Sequence, residues 1–282
     1  MPYIKDLLQS LFMMASMVEA RDPYTGGHLW RVSQFSGLLA KKAGLPSDEV
    51  ARISVGGFLH DLGKIAIPDH ILNKAGSLTD LEYEMMKTHP EVGSRLLSGH
   101  PLAELVRSAV LSHHETPIGT GYPHALRGND LPTDARIISI CDAFDAMTST
   151  RPYRQAMPIT QALNIIQREK GKQFDAHLAT LWVSLGECGA LQHIVGHSES
   201  GIPLQACPIC GPTIVITRQH QHGNHVFCRH CGGESELSKS NGDIQVRPTG
   251  RKGTPRDLEP EADVDLINEL VVLASHHLQH TL

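Results

Sequence analysis

Residues 58–93 read FLHDLGKIAIPDHILNKAGSLTDLEYEMMKTHPEVG. Phe58 closes a helical apolar pattern that passes through Ile53 and begins near Ser47, so His60-Asp61 falls at a helix end. Ser47, followed by Asp48 and Glu49, has the form of a capped helix start with acidic groups in its first turn. Thr79 and Glu82 have capping-box spacing, and the helix they open is expected to be interrupted at Pro90. A single His-Asp pair is weak evidence for a site. Its meaning depends on what the rest of the chain brings to the same point.

Working outward, Leu7, Leu8, Leu11, Met14, Ala15 and Val18 recur at helical spacing, which predicts a core-facing helix or the end of a linker or dimer helix. A second helix runs from His28, with Val32, Phe35 and Leu39 on one stripe. Further helical patterns cover residues 102–114, 133–149, 159–170 and 176–185, and Gly171 is placed to stop one of them. Strand-like alternation is nearly absent before residue 186, so residues 1–190 read as one all-α domain of about seven helices. Thereafter the β-branched run Ile214–Thr217 and the run His225–Phe227 predict a small β module over 200–237. Residues 238–262 are rich in Ser, Gly, Pro and charge and read as a flexible linker. Residues 263–282 predict an amphipathic C-terminal helix, with Ile267, Leu270, Val271, Ala274 and Leu278 on the face that docks on this chain or on a second copy.

Composition narrows the function classes. A net charge of −5 argues against a general nucleic-acid binder, and 5% aromatic residues argue against a base-stacking platform for single strands. The 18 histidines direct attention to metal chemistry, because imidazole is the commonest metal ligand. No secretory signal is visible, and the apolar stretch from Leu7 to Val18 is too short to span a bilayer. The expectation is a cytoplasmic protein with no membrane span and no DNA or RNA partner.

His28, His113, His114, His89 and Asp142 join His60 and Asp61 as residues in or at the ends of predicted helices, and a helical bundle can bring such residues to one central point. Taken singly, each histidine is an ordinary surface or capping residue; the set is not. Five imidazoles and two carboxylates suit divalent Fe, Mn or Zn and do not suit Mg or Ca. Asp61 is the candidate bridge between two metals, which at roughly 3.5–4 Å apart activate a hydroxide and clamp a phosphoryl displacement. Lys64 follows one turn after Asp61 and would neutralise a non-bridging phosphate oxygen.

The neighbouring motifs extend the pattern. RDPYTGGHLWRV (21–32), SHHETPIGTGYPHALRG (112–128) and RIISICDAFDAMTSTRPYR (136–154) accompany the 58–93 stretch in order. Together they resemble the HD-GYP family of cyclic dinucleotide phosphodiesterases, within the HD superfamily of phosphohydrolases. The resemblance implies an HD-type helical bundle, and a hydrolase of cyclic di-GMP that makes linear pGpG and, on further cleavage, GMP. It implies one metal held by His28, His60, Asp61 and Asp142 and a second held by Asp61, His89, His113 and His114. It places Lys64, Asp145, Arg151 and Arg154 near the substrate, and Tyr122 of Gly121-Tyr122-Pro123 on the rim of the site, where a diguanylate cyclase partner could also be met. Guanidinium forks at Arg151 and Arg154 suit phosphates and guanine edges. Two departures stand out: Ile118 where the family usually carries Asp, and Tyr24 where three-metal members carry Glu. The second implies two divalent ions, Fe or Mn, in the helical domain.

Cys207-Pro-Ile-Cys210 and Cys228-Arg-His-Cys231, with 17 residues between them, have the spacing of a four-cysteine zinc ribbon holding one structural Zn. Cys141 and Cys188 are isolated and read as inert thiols. A homodimer is left open. The rivals to the main expectation are a slow or inactive cyclic-dinucleotide sensor signalling through the zinc module, which Ile118 favours, an enzyme acting on cyclic GMP-AMP, and a different HD-type phosphohydrolase, against which the Gly-Tyr-Pro loop and Arg151–Arg154 argue.

Overall fold

The computed structural model describes residues 3–21, 26–74, 76–150, 155–211, 213–240, 243–259 and 261–278. Helix α1 (Ile4–Glu19) turns Leu8, Leu11, Phe12, Ala15 and Val18 into the core, as helical periodicity requires. It is followed by α2 (His28–Lys42) and α3 (Ser47–Leu59), which pack on each other along most of their length. Ser47 is not the side-chain cap that its position suggested: Pro46 precedes the helix in an extended conformation and no side chain bonds to the first turn. Asp48 and Glu49 do lie in that turn, where they complement the helix dipole.

A short 3-10 helix (Leu62–Ala66) leads to α4 (Asp69–Leu72) and α5 (Asp80–Met86), the latter opened by the Thr79–Glu82 capping box. The chain breaks after Met86, and Pro90 sits in the first turn of α6 (His89–Leu97). Proline starts this helix and does not interrupt an earlier one, because first-turn N–H groups have no intrahelical partner to lose. Then come α7 (Ala103–Ser112), α8 (Thr133–Thr148), α9 (Ile159–Arg168) and α10 (Ala176–Glu187). Ten α-helices thus precede the β module among the described residues, more than the seven or so expected, since α4 and α5 are too short to show an apolar period. Phe35, Phe144 and Trp182 meet edge to face at 5.0–5.4 Å and tie α2, α8 and α10 together.

The module runs from β1 (His197–Glu199) paired with β2 (Ile202–Pro203), through β3 (Gln205–Ala206) paired with β4 (Thr213–Ile214), to a three-stranded antiparallel sheet of β5 (His225–Phe227), β6 (Gly233–Ser240) and β7 (Asp243–Lys252). Its own apolar cluster contains Ile202, Cys207, Ile214, Ile216, Val226, Cys228 and Leu237. The linker expected over 238–262 is corrected here, and the module is wider than 200–237. Leu237 pairs with Val246 and Lys239 with Ile244, so Ile244 and Val246 lie against the small core. Pro248 and Gly250 fit because β7 is paired on one side only. Arg251 forks onto Glu234 at 2.8 and 2.6 Å. A 3-10 turn (Pro255–Leu258) then leads to α11 (Val264–Leu278). The apolar face of α11, with Ile267, Leu270, Val271, Ala274 and Leu278, lies on α1 and α3 of this same chain and joins the main core. Among the described residues no helix is long and apolar enough to cross a membrane.

Candidate metal centre

Helix ends build the centre. His28 opens α2, His60 follows the last residue of α3, Asp61 stands at the junction with the 3-10 helix that carries Lys64, His89 opens α6, His113 and His114 follow α7, and Asp142 projects from α8. Gly63 is the hinge of this convergence. A Cβ there would lie 1.8 Å from the carbonyl oxygen of His89, so only glycine lets the His60-Asp61 turn approach α6 closely enough to share a site. His28, His60, Asp61, His89 and His113 are buried, whereas His114 and Asp142 are half-buried and mark the open side.

Two groups of ligand atoms form. Those of His28, His60 and Asp142 lie within 4.8 Å of one another, as do those of His89, His113 and His114. Asp61 lies between them. Its Oδ2 is 3.3 Å from His60 Nε2 and 3.7 Å from His28 Nε2, and its Oδ1 is 3.4 Å from His89 Nε2. The residues placed in two overlapping quartets by their sequence motifs are brought together here, with Asp61 in the shared position.

The outer nitrogens test whether the set suits metal ions. His60 Nδ1 donates to Gly57 O at 2.8 Å, His89 Nδ1 to Met86 O at 2.7 Å and His113 Nδ1 to Val110 O at 3.0 Å. A carbonyl can only accept, so each Nδ1 carries the hydrogen and each Nε2 turns a bare lone pair inward. His89 Nε2 and His113 Nε2 then face each other at 3.2 Å, an arrangement that a cation relieves. His60 Nε2 is buried and lacks hydrogen-bond geometry to any partner, although Asp61 lies near. The donor set is therefore that of a divalent metal centre with mixed nitrogen and oxygen ligands.

Electrostatics agree for most of the set. Burial, together with neighbouring imidazoles and, at His89 and His114, Lys64, depresses His89 to about 3, His114 to about 4, and His113 well below its ordinary range, so all three are neutral at pH 7. Burial opposes ionisation of Asp61 and Asp142, but Lys64 and His60 at Asp61, and His60 and His28 at Asp142, hold both carboxyls low. His28 differs. Burial would lower it, yet Asp145, Asp61 and Asp142 together raise it to about 9, so a metal ion at its Nε2 would have to displace a proton.

Around the centre, Lys64 Nζ lies 2.6 Å from Asp61 Oδ2. Tyr122 stacks on His114 with ring centroids 4.8 Å apart and a 30° tilt, and Lys87 Nζ lies 5.9 Å from the Tyr122 ring. The Tyr122-Pro123 bond is cis. Asp145, expected near the substrate, is buried and its oxygens are engaged within the protein: Oδ1 accepts from Arg31 Nε at 2.6 Å, and Oδ2 from Arg31 Nη2 at 3.0 Å and His28 Nδ1 at 2.8 Å. It orients the His28 ring. Arg151, Arg154 and Tyr24 lie outside the described residues.

Two residues were missed from the sequence. Arg31 stands three positions after His28 on the same helical face, which was the available signal. Glu115, buried beside the histidine pair, accepts from the backbone N–H groups of His124 at 2.6 Å and Leu126 at 3.0 Å. With Thr120 N on Thr116 Oγ1 and Gly128 N on Pro117 O, it ties down the loop that carries Tyr122 without an acid at position 118.

The second cluster lies in the module. Cys207 and Cys210 are 3.6 Å apart at sulfur, Cys210 and Cys228 3.6 Å, and Cys207 and Cys231 3.8 Å. Four thiolates about 2.3 Å from a tetrahedral ion would be about 3.8 Å apart, so the cluster has the dimensions of such a site. Burial would raise the Cys207 thiol, but backbone N–H groups of Cys210 and Ile209 bring it down to about 7.

The fold and this centre define a class: a helical bundle in which histidines and aspartates, most of them from helix ends, surround a candidate two-part metal site. Residues 12–178 match the HD domain family, and the chain belongs to it. It is 41% identical over 169 residues to the cyclic di-GMP phosphodiesterase response regulator RpfG of Xanthomonas campestris pv. campestris, covering 59% of this chain and 45% of that protein. It is 37% identical over 181 residues to a cyclic di-GMP phosphodiesterase of Thermotoga maritima, covering 64% and 49%. To the 3'3'-cGAMP-specific phosphodiesterase 2 of Vibrio cholerae it is 37% identical over 173 residues, covering 61% and 33%. The chain thus spans half or less of the length of these relatives. In fold it is similar to an HDG"Y"P protein from Bdellovibrio bacteriovorus, with a TM-score of 0.50, 21% identity, and 58% of this chain and 53% of that one covered.

Proposed function

We propose that the chain is a metal-dependent phosphodiesterase that hydrolyses cyclic di-GMP to linear pGpG and, by a second cleavage, to GMP. The observation that carries this reading is Asp61, whose two oxygens face two separate histidine groups, with the Nε2 atoms of His28, His60, His89 and His113 turned inward. His28, His60, Asp61 and Asp142 would hold one ion and Asp61, His89, His113 and His114 the other, Fe or Mn in each case, with Zn at the four cysteines. Two such ions, when bound, activate a water nucleophile and stabilise the charge that gathers on the phosphoryl oxygens.

The chain's own groups do the rest. Asp145 keeps the Nδ1 proton of His28 in place and so fixes which nitrogen faces inward. Lys64, held beside Asp61, brings a positive charge to a non-bridging phosphate oxygen. Tyr122, whose phenol burial pushes far above neutrality, stays uncharged and offers a flat face at the rim for a base. Arg151 and Arg154 are assigned to phosphate and guanine contacts. Relatives named for cyclic di-GMP and for 3'3'-cGAMP make the cyclic GMP-AMP hybrid the alternative substrate.

The test is chromatography of products after incubating the purified chain with Mn(II) or Fe(II) and each dinucleotide. Hydrolysis by the wild type, and its abolition in Asp61→Ala with the helical circular dichroism retained, is expected. Binding of dinucleotide without turnover in the metal-loaded wild type replaces the enzyme by a sensor.

A further inference from the structure

Arg31 joins two parts of the molecule that are far apart in sequence. Its guanidinium is buried and all three nitrogens are engaged. One edge, Nε and Nη2, forks onto Asp145 at 2.6 and 3.0 Å, and Asp145 in turn accepts from His28 Nδ1 at 2.8 Å. Nη1 donates to the carbonyl oxygens of Gly26 at 3.1 Å and His197 at 2.8 Å. Nη2 also reaches Ser149 Oγ at 3.3 Å. His197 is the first residue of β1, where the cysteine module begins.

That edge of the module is seated on the turn that carries His28. Gly27 has φ +72°, and a Cβ on it would lie 2.6 Å from the Cα of Ser198. The Ser198 hydroxyl faces the carbonyls of Ile216 at 3.0 Å and Ile202 at 3.3 Å, and both isoleucines share the apolar cluster of Cys207 and Cys228. With only seven buried residues in its own apolar cluster among those described, the module draws part of its order from the metal its cysteines would hold. Order at the cysteines therefore governs where the His197 carbonyl stands.

We propose that Arg31 is a positioning residue that couples the cysteine module to the metal ligand His28. The inference rests on the reading of His28 as a ligand. A guanidinium is planar and rigid, so the edge held by His197 and the edge that grips Asp145 move together. Ordering the module holds His197 on Nη1, which holds Asp145 on the Nδ1 of His28 and raises the affinity of the helical site for its ion. Simple cohesion between module and bundle gives no reason for this choice, because well-packed apolar residues serve that purpose at least as well as a buried ion pair. An Arg–Asp–His chain is suited to orienting a ligand.

Mn(II) titration of the full chain, read by the electron paramagnetic resonance of free Mn(II), reports the helical site, because thiolates select softer ions. In the zinc-loaded wild type Mn(II) binds. Cys207→Ser/Cys228→Ser is expected to weaken that binding at least about 5-fold, within the usual range of coupling between sites. Arg31→Met should weaken it roughly 10–100-fold, as loss of an outer partner does, and adding the cysteine changes to Arg31→Met should weaken it no further.

Arg31→Lys keeps the charge but cannot reach both Asp145 and His197, so Mn(II) affinity in that variant should no longer depend on zinc. Zinc can also be withdrawn from the unaltered cysteines with a mercurial and then restored. Recovery of Mn(II) affinity on restoration is expected in the wild type and not in Arg31→Lys. Equal affinity with and without zinc in the wild type, or zinc dependence that survives in Arg31→Lys, overturns the coupling while leaving the metal site standing. Absence of any Mn(II) binding overturns both.

Discussion

His89, His114 and His28 show how burial and neighbours set a residue's charge, and they give the metal-free chain a defined pH response. The ordinary imidazole value is 6.5, against about 3 for His89 and about 4 for His114 in the folded chain. As pH falls below 6.5 the unfolded chain takes up protons that the folded chain refuses, so stability is lost toward acid. His28 has the opposite sign: with a folded value of about 9, its contribution is full below 6.5 and is lost as pH rises through 9. The unfolding free energy of metal-free protein, read by urea titration, is expected to peak near neutrality and to fall on both sides, by an amount on the order of a few kcal/mol near pH 4. Replacing His89 with Gln should flatten the acid limb and leave the alkaline one. A midpoint that rises between pH 6.5 and 4.5 contradicts the depressed histidines.

Elements, rather than residues, decide the shape of the loop beside the candidate metal centre. Glu115 holds residues 124 and 126 of the loop through two backbone bonds, and Tyr122 rides on that loop. Glu115→Ala leaves two N–H groups without their acceptor and should destabilise the chain by about 2 kcal/mol, the size of a charge-assisted hydrogen bond. Hydrogen exchange at His124 and Leu126 should speed up, and KM for the dinucleotide should rise more than kcat falls. Unchanged exchange there means the loop is held by other means. Helix α5 offers a second case. It buries none of its residues, so its capping box is a main local support. Thr79→Ala is expected to cost about 1 kcal/mol, seen as faster exchange over residues 82–86 with the metal centre intact.

At the scale of the molecule, the bundle, the cysteine module and α11 hold one another. Cys207 and Cys228 are buried in the module's small core, so replacing both with Ser should remove one zinc per chain and open residues 200–235 to proteolysis. Unchanged zinc content in that double variant rules the cluster out as the zinc site. Ile267 of α11 is 1% exposed in the main core against α1 and α3. Ile267→Ala should lower stability by about 2–5 kcal/mol, measured by urea unfolding. A change below about 0.5 kcal/mol would mean that α11 is not docked there in solution.

The helical class, most helix positions, the convergent histidines and the four-cysteine spacing were legible in the sequence, because apolar period and ligand chemistry are local properties. The Thr79–Glu82 cap was legible for the same reason, and Ser47 was misread because Pro46 could start that helix without it. Strand β7 was hidden by Pro248 and Gly250, although Asn241-Gly242 and the alternation of Ile244 and Val246 were there to be read. The roles of Asp145 and Arg31 depended on distance across the fold. A carboxylate near a metal site looks the same in sequence whether it meets substrate or a ligand's outer nitrogen. Packing of α8 against α2 turned Asp145 inward, and seating β1 on Gly27 brought a carbonyl from 166 residues away onto Arg31. The chain's order determines which groups are available, and tertiary packing determines which of them touch, because hydrogen bonds act over about 3 Å and sequence carries no such distance.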